Sequence, residues 1–121
     1  MVDATKAAVT FQGSATQTAG AAYTNPSGTD LTAALGCLIT AEITNGGTGP
    51  TVGCDFVVEV SNDNSDFMEF ARATAGLTAG TTYTFQVELP ISVMYARVLF
   101  GGNTGQDVTV EADGHKISAV E

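Results

Sequence analysis

The chain has 121 residues, with thirteen Asp or Glu against four Lys or Arg and a formal charge of −9. A length of this order forms a single core that buries roughly two thirds of the extended-chain surface, and so acidic a surface repels the phosphates that a nucleic-acid binder must neutralise. No stretch approaches the roughly 20 apolar residues of a membrane span, so neither nucleic acid nor a membrane is expected as a partner.

In chain order, residues 1–35 differ in composition from the remainder of the chain. Ala, Thr, Gly and Ser dominate there, and charges thin out after Lys6. The opening Met-Val-Asp-Ala-Thr-Lys has neither the basic nor the apolar region of a secretory signal, which predicts a chain made and kept in the cytosol, a mature product with its signal removed being the alternative. Lys6–Gln12 and Ala19–Thr24 read as short strands, and Asn25–Asp30 as a turn cluster. Asp30–Leu35 reads as one helical turn capped by Asp30 and ended by Gly36. Small side chains and abundant Thr suit an edge strand or an arm lying on a neighbouring subunit, with a mobile terminus as the alternative. The expected organisation is an arm over residues 1–30 and a β-sandwich over 31–121.

Through the second half of the chain, alternation is nearly continuous. Cys54, Phe56, Val58 and Val60 share one face of a strand, with Asp55, Val57, Glu59 and Ser61 on the other. The runs Tyr83/Phe85/Val87/Leu89, Met94/Ala96/Val98/Phe100 and Val108/Val110/Ala112 repeat this period of two, the mark of half-buried sheet. About seven or eight short strands with turn signals between them predict an all-β antiparallel β-sandwich, of immunoglobulin-like or jelly-roll topology, with a small barrel as the alternative. The absence of Trp removes the Cys-Trp-Cys pattern of antibody-type domains.

Three hairpins are predicted from the pattern. Residues 36–44 and 53–61 pair through the Asn45–Val52 loop, which sets Cys54 opposite Ile43, roughly 20 Å along the strand from Cys37. A disulfide needs Cα atoms within about 7 Å, so both cysteines are expected as buried free thiols, a bridge between sheets being the alternative. Pairing Ser61 with Phe67 puts Val60 opposite Met68, Glu59 opposite Glu69 and Val58 opposite Phe70, with the apolar residues inward. Pairing Phe100 with Gln106 puts Val98 opposite Val108 and Ala96 opposite Val110, and faces Arg97 toward Thr109 with Asp107 and Glu111 as diagonal neighbours.

Residues for chemistry are scarce. Asn62, Asn64 and Asp66 have calcium-loop spacing, but Phe67 and Ala73 occupy the places where such a loop requires Gly and Glu. The segment reads as a hairpin turn. Gly101–Gly105 lacks the Lys-Ser/Thr of a phosphate loop and precedes a strand, so it too reads as a turn. His115 is the only histidine and sits in Asp113–Lys116, read as a solvated turn with no nucleophile presented to it. Glu59 opposite Glu69 is the one carboxylate pair, on a face without the aromatic platforms of a glycosidase cleft. No catalytic, cofactor-binding or metal site is expected, and no cofactor.

Val58–Asn64 (Val-Glu-Val-Ser-Asn-Asp-Asn) followed by Tyr95–Val110 (Tyr-Ala-Arg-Val-Leu-Phe-Gly-Gly-Asn-Thr-Gly-Gln-Asp-Val-Thr-Val) resembles the capsid decoration, or cement, proteins of tailed bacteriophages and related small β-sandwich virion accessory proteins. The resemblance covers the second half of the chain and carries over no binding residue. It implies a structural virion protein without catalysis, made in the host cytoplasm and located on the capsid surface. Such a protein stabilises the shell by binding its outer face. The implied partners are the major capsid protein and the chain itself, as a homotrimer. The alternative is a carbohydrate-binding or adhesive β-sandwich, which the lack of Trp disfavours. A small enzyme would have only Glu59 and Glu69 to offer.

Overall fold

In a computed structural model, which describes residues 3–120, eight strands form two four-stranded sheets. The strands are β1 (Asp3–Gln17), β2 (Thr29–Asp30), β3 (Gly36–Asn45), β4 (Asp55–Ser61), β5 (Met68–Thr74), β6 (Thr82–Leu89), β7 (Tyr95–Gly101) and β8 (Val108–Val120). The first sheet has the order β1-β8-β3-β6 and the second β2-β7-β4-β5. Every pairing is antiparallel. Apart from β4–β5, each connection passes from one sheet to the other, which is the double Greek key of a jelly roll. Of the two sandwich topologies the sequence leaves open, the jelly roll is the one adopted. No helix of the described residues is long and apolar enough to cross a membrane.

The alternating residues meet between the sheets. Ile39, Ala41 and Ile43 of β3, with Val108, Val110 and Ala112 of β8, face Phe56 and Val58 of β4 and Ala96, Val98 and Phe100 of β7. Phe56 stacks on Phe85 of β6 at 5.8 Å and lies 6.0 Å from Phe100. Each such ring removes on the order of 150–250 Å² of largely apolar surface from water.

Apart from Met94, which precedes β7 and is exposed, the inward residues of β4, β6, β7 and β8 are those the alternation predicts, but two of the three hairpins are not formed. Ile43 pairs with Tyr83 and Val110, not with Cys54, because β3 and β4 lie in opposite sheets. Val98 pairs with Val58 of β4, and Val108 with Asn45 and Gln17. A residue that points into a sandwich meets the core equally whether the next strand in sequence lies beside it or across from it. The β4–β5 hairpin forms, with Val60 opposite Met68 and Glu59 opposite Glu69. A bulge then puts Val58 opposite Ala71 rather than Phe70. Met68 and Phe70, expected inward, are 74% and 44% exposed.

Residues 1–30, read from sequence as an edge strand or an arm, include an edge strand paired with β8 over most of its length. Phe11 is buried in the core and Val9 packs against it. Ala19–Thr24 is not a strand; the segment runs irregularly past β7, with the Gly20 and Thr24 amides donating to the Asn103 and Phe100 carbonyls. Asp30 ends β2, and its carboxylate accepts from the Thr32 amide and hydroxyl. A single Ala34-to-Leu31 turn takes the place of the helical turn.

Asp113–Lys116 is the middle of β8 rather than a turn. Gly114 passes the Leu38 carbonyl so closely that a Cβ there would lie 2.1 Å from its oxygen. Glycine in a strand marks such a close backbone approach as often as it marks a turn. His115 is exposed on the strand between Leu38 and Ala8.

Cys37 and Cys54 are both free and buried. They lie at opposite ends of the sandwich, one at the start of β3 and the other just before β4. Burial raises both thiol pKa values, that of Cys54 to about 11.

Candidate surfaces for assembly

The outer face of the second sheet holds a belt of charge. Glu59 and Glu69 face each other across β4 and β5, an arrangement that repels unless it is compensated. Each receives its own arginine. Arg97 of β7, brought beside Glu59 by the β4–β7 register, binds it at 2.7 Å. Its guanidinium also donates to Asn25 at 3.0 Å and lies 4.0 Å from the centre of the Phe67 ring. Arg72 of β5 binds Glu69 at 2.9 Å and Asp55 at 3.0 Å.

Asp55 in turn accepts from Thr74 and from the Tyr23 hydroxyl. That hydrogen bond, with some burial, raises the Tyr23 pKa. The belt fastens residues 23–28, the irregular stretch before β2, onto the sheet. Arg97 therefore pairs within the second sheet and not with Asp107 or Glu111. Sequence pattern had no means to find this, since Arg97 and Glu59 are 38 residues apart.

The Asn62–Asp66 segment is a turn organised by Asp63. Its carboxylate accepts from the Ser65 and Asp66 amides and the Ser61 hydroxyl, which together lower its pKa to about 2. Asn64 takes the left-handed backbone with φ of 60°, a conformation that Asn tolerates. At the opposite end, Asn45 donates to the Gly76 and Thr78 carbonyls, and Asn103 to those of Gln17 and Gln106. Asn103, read from sequence as an ordinary turn residue, is a buried tie between two connections. Among the described residues, no group of three or more His, Cys, Asp or Glu is placed to hold a metal ion.

Large exposed apolar side chains gather at the end of the sandwich formed by the β2–β3, β4–β5 and β6–β7 connections. One groove there, about 480 Å³, is lined by Val60, Met68, Phe70 and Val93, with Asp63 and Asp66 at its margin. A second, about 620 Å³, is lined by Leu35, Leu38, Leu89, Ile91 and Ile117, with Lys6, Glu88 and His115 around it. Pro90 borders both. Ile91, 64% exposed, stands on the connection between them.

No family model matches the chain, and no curated protein matches it. Solved structures with a similar fold include a subunit of Bacillus endospore appendages, described as disulfide-linked pili, with a TM-score of 0.51 at 13% identity over 97% of this chain and 92% of that one. A chain of the infectious bursal disease virus Gx strain gives a TM-score of 0.51 at 18% identity, covering 98% of this chain and 32% of that one. The VP2 subviral particle of the same virus gives 0.50 at 14% identity, covering 98% and 33%. This chain thus spans about a third of the viral chains it resembles. At these identities the likeness is one of fold, shared by a viral capsid protein and a pilus subunit.

Proposed function

We propose that the protein is a structural virion component that decorates and stabilises a bacteriophage capsid by binding the outer face of the shell, without catalysis. The observation that carries this reading is the apolar end of the sandwich. Met68, Phe70, Leu35, Leu38 and Ile91 stand exposed at this one end of an acidic chain, while exposed Val52 and Leu77 lie on the β3–β4 and β5–β6 connections. Contiguous exposed apolar surface of this kind marks contact with another protein. In this reading the apolar end seats on the major capsid protein, the acidic remainder faces solvent, and copies associate with one another, a trimer being the expected order.

The adhesive or carbohydrate-binding alternative requires an exposed aromatic platform. The exposed aromatics Tyr23 and Phe70 are distant from each other in the fold: Tyr23 is engaged with Asp55, and Phe70 lies beside the β6–β7 connection. The test is immunogold electron microscopy, with antibody against the purified protein, on particles and cells from the organism that encodes it. Gold confined to icosahedral shells supports decoration. Gold on surface filaments or on cell envelopes free of particles overturns it in favour of the adhesive reading.

A further inference from the structure

The two outer strands of the first sheet differ from the other edges of the molecule. In the second sheet, β2 is two residues long and β5 is interrupted by a bulge, both of which discourage strand addition. Along β6, Thr82–Leu89 pairs only with β3; along the straight part of β1, Asp3–Thr10 pairs only with β8. Neither run contains proline. Each leaves a row of backbone donors and acceptors open, and each leaves apolar side chains half covered at the margin of the core, Phe85 and Val87 on β6 and Val9 on β1.

We infer that these edges are complementary halves of one contact, in which β6 of one copy pairs antiparallel with β1 of the next to continue the first sheet across the boundary. Direction supports it. Alternation through β1-β8-β3-β6 leaves β6 and β1 antiparallel, so copies set side by side in the same orientation present compatible strands. Pattern supports it as well. With Glu88 opposite Lys6 of the next copy, Phe85 meets its Val9 and Val87 its Ala7 on the core face, while Gln86 and Thr84 meet its Ala8 and Thr10 on the outer face.

Charge then fixes the register. Glu88 is the only charged residue of β6 and Lys6 the only cation of β1, both exposed on the outer face, and neither has an ion pair among the described residues. A shift of one residue would turn every apolar side chain to the wrong face. Because the two edges are different, the contact is head-to-tail, closing into a ring or extending as a row. The inference deepens the assembly reading and rests on it for biological meaning, but its test does not require a capsid.

The full-length chain should self-associate in sedimentation velocity as concentration rises. Lys6→Glu and Glu88→Lys should each weaken association by about three- to tenfold, and the chain carrying both reversals should recover it. Lys6→Cys and Glu88→Cys chains, mixed and oxidised, should cross-link mainly to each other, with Cys37 and Cys54 buried and silent. A wild-type chain that stays monomeric up to roughly millimolar concentration overturns the inference. So does failure of the double reversal to recover, or a predominance of Lys6→Cys homodimers, which would indicate two-fold pairing of β1. A monomer that nonetheless decorates shells would sink the edge contact alone, and self-association without particle labelling would sink the capsid reading alone.

Discussion

Glu59 and Glu69 stand directly opposite each other on β4 and β5, and each is held by a different arginine. The two compensations are unequal. The Arg97–Glu59 pair is mostly buried, with side chains 19% and 21% exposed, whereas those of Arg72 and Glu69 are 45% and 48% exposed. Truncating Arg97 strands a partly buried carboxylate and releases Asn25 and Phe67, so Arg97→Ala should cost about 1–3 kcal/mol in urea unfolding. Arg72→Ala should cost about 1 kcal/mol or less, as solvent-screened pairs do. Equal losses would show that burial does not separate the two.

Phe11 tests whether the N-terminal strand belongs to the core. Phe11→Ala should destabilise by about 3 kcal/mol, at the lower end for a buried aromatic because the site lies at a sheet edge. A loss below about 1 kcal/mol would mean that β1 is an arm resting on a core complete without it.

Gly114 and Gly13 form a matched pair. At Gly114 an added methyl would overlap the Leu38 carbonyl, while nothing lies within 4 Å of the corresponding position at Gly13. Gly114→Ala should push β8 away from β3 and lower the melting temperature well below that of the wild type. Gly13→Ala should leave it unchanged or raise it, by up to about 1 kcal/mol in stability. The same calorimetric scan checks both, and a tolerated Gly114→Ala would contradict the β3–β8 register.

The Asp63 carboxylate, held down mainly by the Asp66 and Ser65 amides, has a pKa of about 2 when folded against an ordinary 3.8. The folded state therefore binds its proton less readily than the unfolded state. The resulting stabilisation is complete above the ordinary value and is lost as pH falls from 3.8 towards 2. Asp63→Asn should be less stable than the wild type at neutral pH, and the difference should shrink across that acid interval. A difference that is constant with pH would show that the charge on Asp63 does not organise the turn.

Sequence by itself determined that this is an all-β sandwich and which residues of β4, β6, β7 and β8 point inward, because side chains alternate with period two along any strand, whatever lies beside it. It also placed Glu59 opposite Glu69, since a short turn joins β4 to β5 and few registers are sterically open. Tertiary structure alone decided the partners. Cys54 precedes a strand of the sheet opposite Ile43, Arg97 meets Glu59 rather than Thr109, and Asp113–Lys116 is strand where its composition reads as turn. These pairings arise from crossings between sheets that bring together residues far apart in the chain. Inward-facing residues are satisfied equally by a neighbour beside them or across the core, so alternation carries no information about which of the two occurs.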